Sequence, residues 1–103
     1  MSFDDVVILE WFTVNGTEPE EKSVEVFAKK GTVTRTEFYA SYQTGTNISA
    51  VFYVNSDDYE LTKTIEDGTG KPKYASQLIH EGAVYDIFKD TYTANGITEL
   101  VCS

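Results

Sequence analysis

The chain has 103 residues, of which 41% are hydrophobic and 14% aromatic, and its 17 Asp and Glu against eight Lys and Arg give a net charge of −9. The length fits one domain spanning residues 1–103, and the composition excludes the collagen-like and disordered classes. Tight binding to nucleic acid depends on clustered Lys and Arg, so the charge argues against a protein that grips DNA.

The first residues do not read as a secretion signal. Met1–Asp5 contains neither a basic region nor an uninterrupted apolar run. No later stretch is apolar for long enough to cross a bilayer as a helix. We therefore expect synthesis in the cytoplasm and no association with membrane.

The first third of the chain predicts two strands. Val6–Val14 is rich in β-branched and aromatic residues and ends at the strong turn signal Asn15–Gly16. Thr17–Lys22 reads as an acidic loop, and Ser23–Val33 as a second strand. Both faces of the first strand are apolar, which predicts that it is central or meets another subunit. The two faces are Val6, Ile8, Phe12 and Val14, and Val7, Leu9 and Trp11.

One short helix is expected next, over about residues 35–43. Thr34 and Glu37 have the spacing of a capping box, and Gly45 supplies a stop. Helical spacing predicts one face that packs and another that can meet a partner. These faces are Phe38, Ser41 and Tyr42, and Arg35, Tyr39 and Gln43.

The middle of the chain predicts a strand, a turn and a loop. Ile48–Val54 alternates as a third strand, and Asn55–Asp58 has the side chains of a turn. Leu61–Ile65 predicts a short strand, and Glu66–Pro72, with two glycines and a proline, predicts a loop.

The last third predicts two hairpins. Strands Ala75–His80, Ala83–Thr93 and Ile97–Cys102 are separated by turns at Glu81–Gly82 and Asn95–Gly96. Five or six short antiparallel strands with one short helix indicate an all-β domain, a small antiparallel β-barrel that leaves few open edges.

Few residues are available for catalysis. His80 and Cys102 are the one His and the one Cys, and no third residue is placed to orient such a pair. Gly68–Lys71 lacks the spacing of a phosphate-binding loop. The acidic pairs Asp57–Asp58 and Glu66–Asp67 fit turns better than an EF-hand. We therefore expect no enzyme activity, no cofactor and no metal site.

The landmarks, in their order and spacing, resemble those of the small head-tail joining proteins of tailed bacteriophages, also called head-closure or stopper proteins or head-tail adaptors. Together the landmarks cover nearly the whole chain. They are Phe3–Val7, Val33–Tyr39, Val51–Val54 followed by Asp58–Tyr59, Gly82–Ile87, and Thr98–Cys102.

The resemblance implies a structural virion protein, encoded by a phage or prophage, that forms a ring at the neck of the particle. Such a ring lies below the portal and connector proteins and above tail-terminator or tail proteins. It closes the filled head, joins it to the tail and surrounds the channel through which DNA passes without sequence-specific binding. A ring that forms on the connector is compatible with a monomer in isolation. The resemblance places one segment near the channel and between subunits: Thr34, Arg35, Glu37, Tyr39, Tyr42, Gln43, Thr44, Gly45 and Thr46.

Two other functions remain open. One is a tail-terminator or tail-tube component, which also forms rings. The other is a small cellular β-barrel that binds a ligand, which requires several aromatic residues to line one pocket. The candidates for that lining are Trp11, Tyr39, Tyr42, Tyr53 and Tyr59.

Overall fold

A computed structural model shows a closed antiparallel barrel of six strands, in agreement with the predicted all-β class. It describes residues 2–15, 18–33, 48–65, 72–93 and 95–103. The barrel order is β1-β2-β3-β8-β7-β6, and β4 and β5 form a separate two-stranded sheet. The elements are β1 (Asp5–Asn15), β2 (Glu18–Lys30), β3 (Ala50–Asn55), α1 (Ser56–Glu60), β4 (Thr64–Ile65), β5 (Pro72–Lys73), β6 (Gln77–His80), β7 (Ala83–Tyr92) and β8 (Ile97–Cys102).

The barrel interior is filled by side chains from alternate positions of its strands. Val7 and Leu9 of β1 point inward, as do Phe52 of β3, Leu78 of β6 and Leu100 of β8, and each is at most 1% exposed. The period of two along each strand places these residues on one face, as the alternation in the sequence predicts. This barrel has a packed core rather than an open lumen.

The β1–β2 hairpin is longer than predicted and extends beyond the barrel. The prediction of a loop up to Lys22 is wrong, because β2 begins at Glu18 and pairs with β1 from Asn15↔Glu18 to Asp5↔Ala28. Within the described residues, β1 pairs with β6 through Ile8–Glu10, and β2 pairs with β3 through Ala28–Lys30. The part of the hairpin beyond Glu10, in which Trp11–Asn15 pairs with Glu18–Lys22, forms a two-stranded arm. Its solvated Glu side chains are compatible with cross-strand pairing.

The predicted turn at Asn55–Asp58 and the predicted strand Leu61–Ile65 both need correction. Ser56–Glu60 forms the helix α1, with Asp57 and Asp58 in its first turn, where carboxylates are favoured by the helix dipole. Leu61 and Thr62 close the helix with hydrogen bonds to the Asp58 and Tyr59 carbonyls, so the strand is limited to Thr64–Ile65.

Other strand boundaries also differ from prediction. β2 ends at Lys30 instead of Val33, β3 begins at Ala50 instead of Ile48, and β6 begins at Gln77 instead of Ala75. Backbone hydrogen bonds continue past two of these ends, from Gly31 N to the Val51 carbonyl at 2.7 Å and from Ser49 N to the Cys102 carbonyl at 2.8 Å. The flanking residues therefore remain attached to the barrel after the regular ladder ends.

The two predicted turns of the last third lie where expected. Glu81 and Gly82 both have positive φ, 51° and 83°, which is the backbone of a tight hairpin turn between His80 and Ala83. Gly96 has φ 71° at the second turn. Both glycines are in the left-handed region that a Cβ would strain.

The predicted helix over residues 35–43 and most of the loop Glu66–Pro72 fall outside the described residues, and Pro72 belongs to β5. No helix in the described part of the chain has the length and apolarity needed to cross a membrane.

Candidate functional site

The predicted channel segment, Thr34–Thr46, lies outside the described residues. The point at which the chain leaves β2 toward it is described. A Cβ built on Gly31 would lie 2.6 Å from Cε2 of Tyr53 and 3.3 Å from Cγ1 of Val51. The Tyr53 ring therefore occupies the space that any side chain at position 31 would need. The lack of a side chain at Gly31 permits this close approach, and the hydrogen bond from Gly31 N to the Val51 carbonyl attaches the backbone to β3 just before the segment.

An apolar stripe crosses the outer surface of β2, β1, β6 and β7. Phe27 pairs with Val6, Ile8 pairs with Ile79, and Ile79 pairs with Val84, so these five side chains are neighbours on one face. Phe27, Val6 and Val84 are 61%, 44% and 59% exposed. We call these five residues the outer stripe. The sequence predicted that a strand apolar on both faces is central or meets another subunit. In the barrel β1 lies between β2 and β6, with Val7 and Leu9 buried inside and Val6 exposed outside.

Acidic side chains border the outer stripe. Glu25 lies opposite Ile8 across β1 and β2, and Glu10 and Asp86 lie at positions paired with Gln77. A hydrogen bond to Glu21 is the largest cause that raises the pKa of Glu10, followed by partial burial and the negative charge of Glu21. The neighbouring Glu21 carboxylate therefore makes ionisation of Glu10 less favourable. The stripe thus has an apolar centre and a mainly negative margin.

A pocket of about 440 Å³ lies where α1 meets the ends of β7 and β8. The rings of Tyr59 and Tyr74 stack beside it, with centroids 5.0 Å apart and an angle of 11° between their planes. Ser56 and Thr98 share a hydrogen bond of 2.8 Å between their hydroxyls. We call this cavity the tyrosine pocket. Its other lining residues are three tyrosines and three carboxylates: Tyr59, Tyr74, Tyr92, Asp57, Glu60 and Asp90.

The phenols of the tyrosine pocket donate to its carboxylates. Tyr59 Oη donates to Asp90 Oδ2 at 2.8 Å, and Tyr74 Oη donates to Glu60 Oε1 at 3.1 Å. Burial, and next the bond to Asp90, raise the pKa of Tyr59 far above its ordinary range. Burial and the bond to Glu60 raise the pKa of Tyr74 as well. Both phenols therefore stay protonated, and their oxygens and the carboxylates present acceptors to the cavity.

The aromatic set proposed for a ligand pocket is mostly not brought together. Tyr59 lines the tyrosine pocket, whereas Trp11 and Tyr53 are not among its lining residues. Tyr39 and Tyr42 lie outside the described residues. Tyr74 and Tyr92, which the sequence did not single out, complete the pocket. No local signal marks them, because their proximity depends on how β5, β7 and α1 meet.

His80 is held by acidic neighbours at one end of the barrel. Its Nε2 lies 3.4 Å from Asp5 Oδ1 and 4.0 Å from Glu81 Oε1, and its ring meets that of Phe52 edge to face at 5.1 Å. Within the described chain these three residues place ligand-type atoms within 4.8 Å of one another, a spacing that a metal ion could bridge. The Asp5 contact joins β1 to β6, so a structural role accounts for it.

Cys102 is fully buried and does not form a hydrogen-bonded pair with His80. Its thiol donates to the Leu100 carbonyl at 3.7 Å, whereas the hydrogen-bond partner of His80 is Asp5. Burial raises the pKa of Cys102 from 9.0 to about 12. At neutral pH the thiolate, which is the reactive form, is therefore strongly disfavoured.

In the described part of the chain, the fold and these surfaces define a small closed β-barrel domain that carries an exposed apolar face and an acidic aromatic pocket. Comparison with models of known protein families and with curated proteins finds no significant match.

Proposed function

We propose that this chain is a structural component of a bacteriophage neck, forming a ring that closes the filled head and joins it to the tail. The observation that carries the proposal is the outer stripe. Five apolar side chains on neighbouring strands are more than scattered surface hydrophobics, and contiguous apolar patches mark interaction sites. A ring or a stack on neighbouring proteins would cover them.

The order of landmarks in the chain supports the same proposal. Phe3–Val7 leads into β1, Val51–Val54 lies in β3, Gly82–Ile87 runs from the turn into β7, and Thr98–Cys102 lies in β8. In this interpretation the barrel is the rigid body of the subunit. The segment proposed to lie near the channel is Thr34–Thr46, which begins shortly after Gly31.

The charge is compatible with a passage for DNA. A net charge of −9 repels the phosphate backbone, so DNA passing a ring of such subunits would not be retained by tight contacts. The ring would act through its shape and its contacts with connector and tail proteins. The proposal needs no reacting group.

Complementation of tail-less phage heads that lack this protein tests the proposal. Adding the chain should restore retention of packaged DNA and attachment of tails. Unchanged DNA loss and unchanged tail attachment would overturn the proposal. A gene located far from portal and tail genes would also count against it.

A tail-terminator or tail-tube role is the nearest alternative, because the outer stripe would serve a stacked ring equally well. Co-purification separates the two roles: the neck protein accompanies filled heads, and the tail component accompanies tail tubes. A cellular ligand-binding domain is the second alternative, and the tyrosine pocket is the observation that favours it.

A further inference from the structure

The lining of the tyrosine pocket is complementary to one kind of ligand. We infer that it binds an organic cation, an alkylguanidinium or alkylammonium group carried by a small molecule or by a basic side chain of another protein. This inference does not rest on the neck role, since the pocket lies on a different part of the barrel from the outer stripe.

The polar groups of the pocket are mainly hydrogen-bond acceptors, so they are complementary to a ligand that donates. Tyr59 and Tyr74 already direct their hydroxyl protons to Asp90 and Glu60, so both phenol oxygens retain lone pairs only. Each carboxylate has further acceptor sites after receiving one hydrogen bond. Ammonium and guanidinium groups carry donors and no acceptors, so they match these phenol and carboxylate oxygens. The bond between Ser56 and Thr98 uses only one of their two hydroxyl protons, so one hydroxyl of that pair can still donate, but the acceptors of the described lining outnumber it.

The negative charge of the pocket is complementary to a cation. Asp57, Glu60 and Asp90 contribute carboxylates, and its described lining contains no Lys, Arg or His. Lys89 borders a smaller cavity of about 130 Å³ that also touches Tyr59 and Tyr74. A bound cation would reduce the repulsion among the carboxylates and would form charge-assisted hydrogen bonds with them.

The aromatic rings supply a surface for the apolar and cationic parts of such a ligand. Tyr92 is 68% exposed at the rim, and Tyr74 is half-buried beside its stacked partner Tyr59. A cation over the face of a tyrosine is attracted by the ring quadrupole, and guanidinium groups also stack on rings. The cavity volume lies within the usual range for small-molecule sites.

Titration followed by NMR tests the inference on the whole chain. The probes are n-butylguanidinium and n-butylammonium, with the uncharged n-butylurea as the matched neutral ligand. We expect amide shifts confined to Ser56–Glu60 and the end of β7, millimolar affinity, and binding at least about tenfold tighter than for n-butylurea. Added salt should weaken the binding of the cations.

Two variants with the same change of charge sharpen the test. Asp90→Asn should weaken cation binding about tenfold, since the amide oxygen can still accept from Tyr59 while the charge is lost. Asp86→Asn, on the same strand but bonded to Gln77, should change it less than about twofold because charge screening limits its reach. Tyr92→Ala should weaken binding without affecting the fold, because that ring is mostly exposed.

Comparison of an arginine peptide with a free alkylguanidinium identifies the source of the cation. Tighter binding of N-acetyl-Gly-Arg-Gly amide, which carries the same single charge, than of n-butylguanidinium would indicate a basic side chain of a partner, and the reverse order a free small molecule. The inference is wrong if n-butylurea binds as well as the cations, if the two Asp variants behave alike, or if no probe shifts the pocket amides at millimolar concentration.

Discussion

Truncation of two phenylalanines on opposite faces of the barrel wall should change the stability of the fold by very different amounts. Phe52 is fully buried against His80 and Tyr85, so Phe52→Ala should lower the free energy of unfolding by about 3 to 5 kcal/mol. For a domain of this size that corresponds to a fall in Tm of about 12 to 40 °C. Phe27 is 61% exposed, and Phe27→Ala should stay within about 0.5 kcal/mol of the wild type. Urea denaturation followed by circular dichroism measures both.

Phe27→Ala should instead weaken assembly of the subunit into the particle. If Phe27 anchors a contact in a particle, its truncation should cost about 2 kcal/mol of binding, or roughly thirtyfold in affinity. Phe88→Ala is the matched control, because Phe88 is similarly exposed at 52% but lies outside the outer stripe. Yields of tailed particles in the complementation assay give the readout. Full yield with Phe27→Ala, or an equal loss with Phe88→Ala, would remove the outer stripe from the interface.

Three further predictions concern single sites. Gly31→Ala should cost about 1 to 3 kcal/mol in urea unfolding, because its Cβ would collide with the Tyr53 ring; unchanged stability would show that the ring moves freely. The pKa of Cys102 is raised in the folded state, so its contribution to stability is intact below pH 9.0 and is lost as the pH rises toward about 12. Cys102→Ala should therefore flatten the alkaline limb of a stability-pH curve, and an unaltered limb would contradict this. The pKa of Glu10 is also raised, so its contribution is present at low pH and is lost as the pH rises above 4.5. The stability of Glu10→Gln relative to wild type should grow from pH 4 to pH 7, and a flat difference would argue against the contact with Glu21.

The barrel strands were predictable because they combine alternation with turn signals. Ile97–Cys102 matches its predicted range, and β1 and β7 lie within one residue of theirs at each end. In these strands local preference and tertiary pairing favour the same conformation. The turn at Glu81–Gly82 was equally clear, since the Gly at its second position accommodates positive φ.

Prediction failed where the wider structure determined the local one. Glu18–Lys22 has the composition of a loop, yet continuous pairing with β1 draws it into β2. The acidic residues at Asp57–Asp58 suit a turn and the first turn of a helix equally well. A tertiary contact just beyond the helix is compatible with this choice, since buried Thr62 accepts a hydrogen bond from the Ala75 amide and connects the end of α1 to the residues before β6.

The two candidate surfaces differ in how far a sequence can reveal them. The outer stripe follows from a strand that is apolar on both faces, because a barrel can bury only one of them. The tyrosine pocket depends on Tyr59, Tyr74 and Tyr92, which are far apart in the chain and meet through the bond from Tyr59 to Asp90 and the stack with Tyr74. The sequence shows an excess of acidic residues, but the carboxylates and phenol oxygens of the pocket come together only in the folded barrel. That arrangement, more than net charge alone, makes the pocket selective for a donor-rich cation.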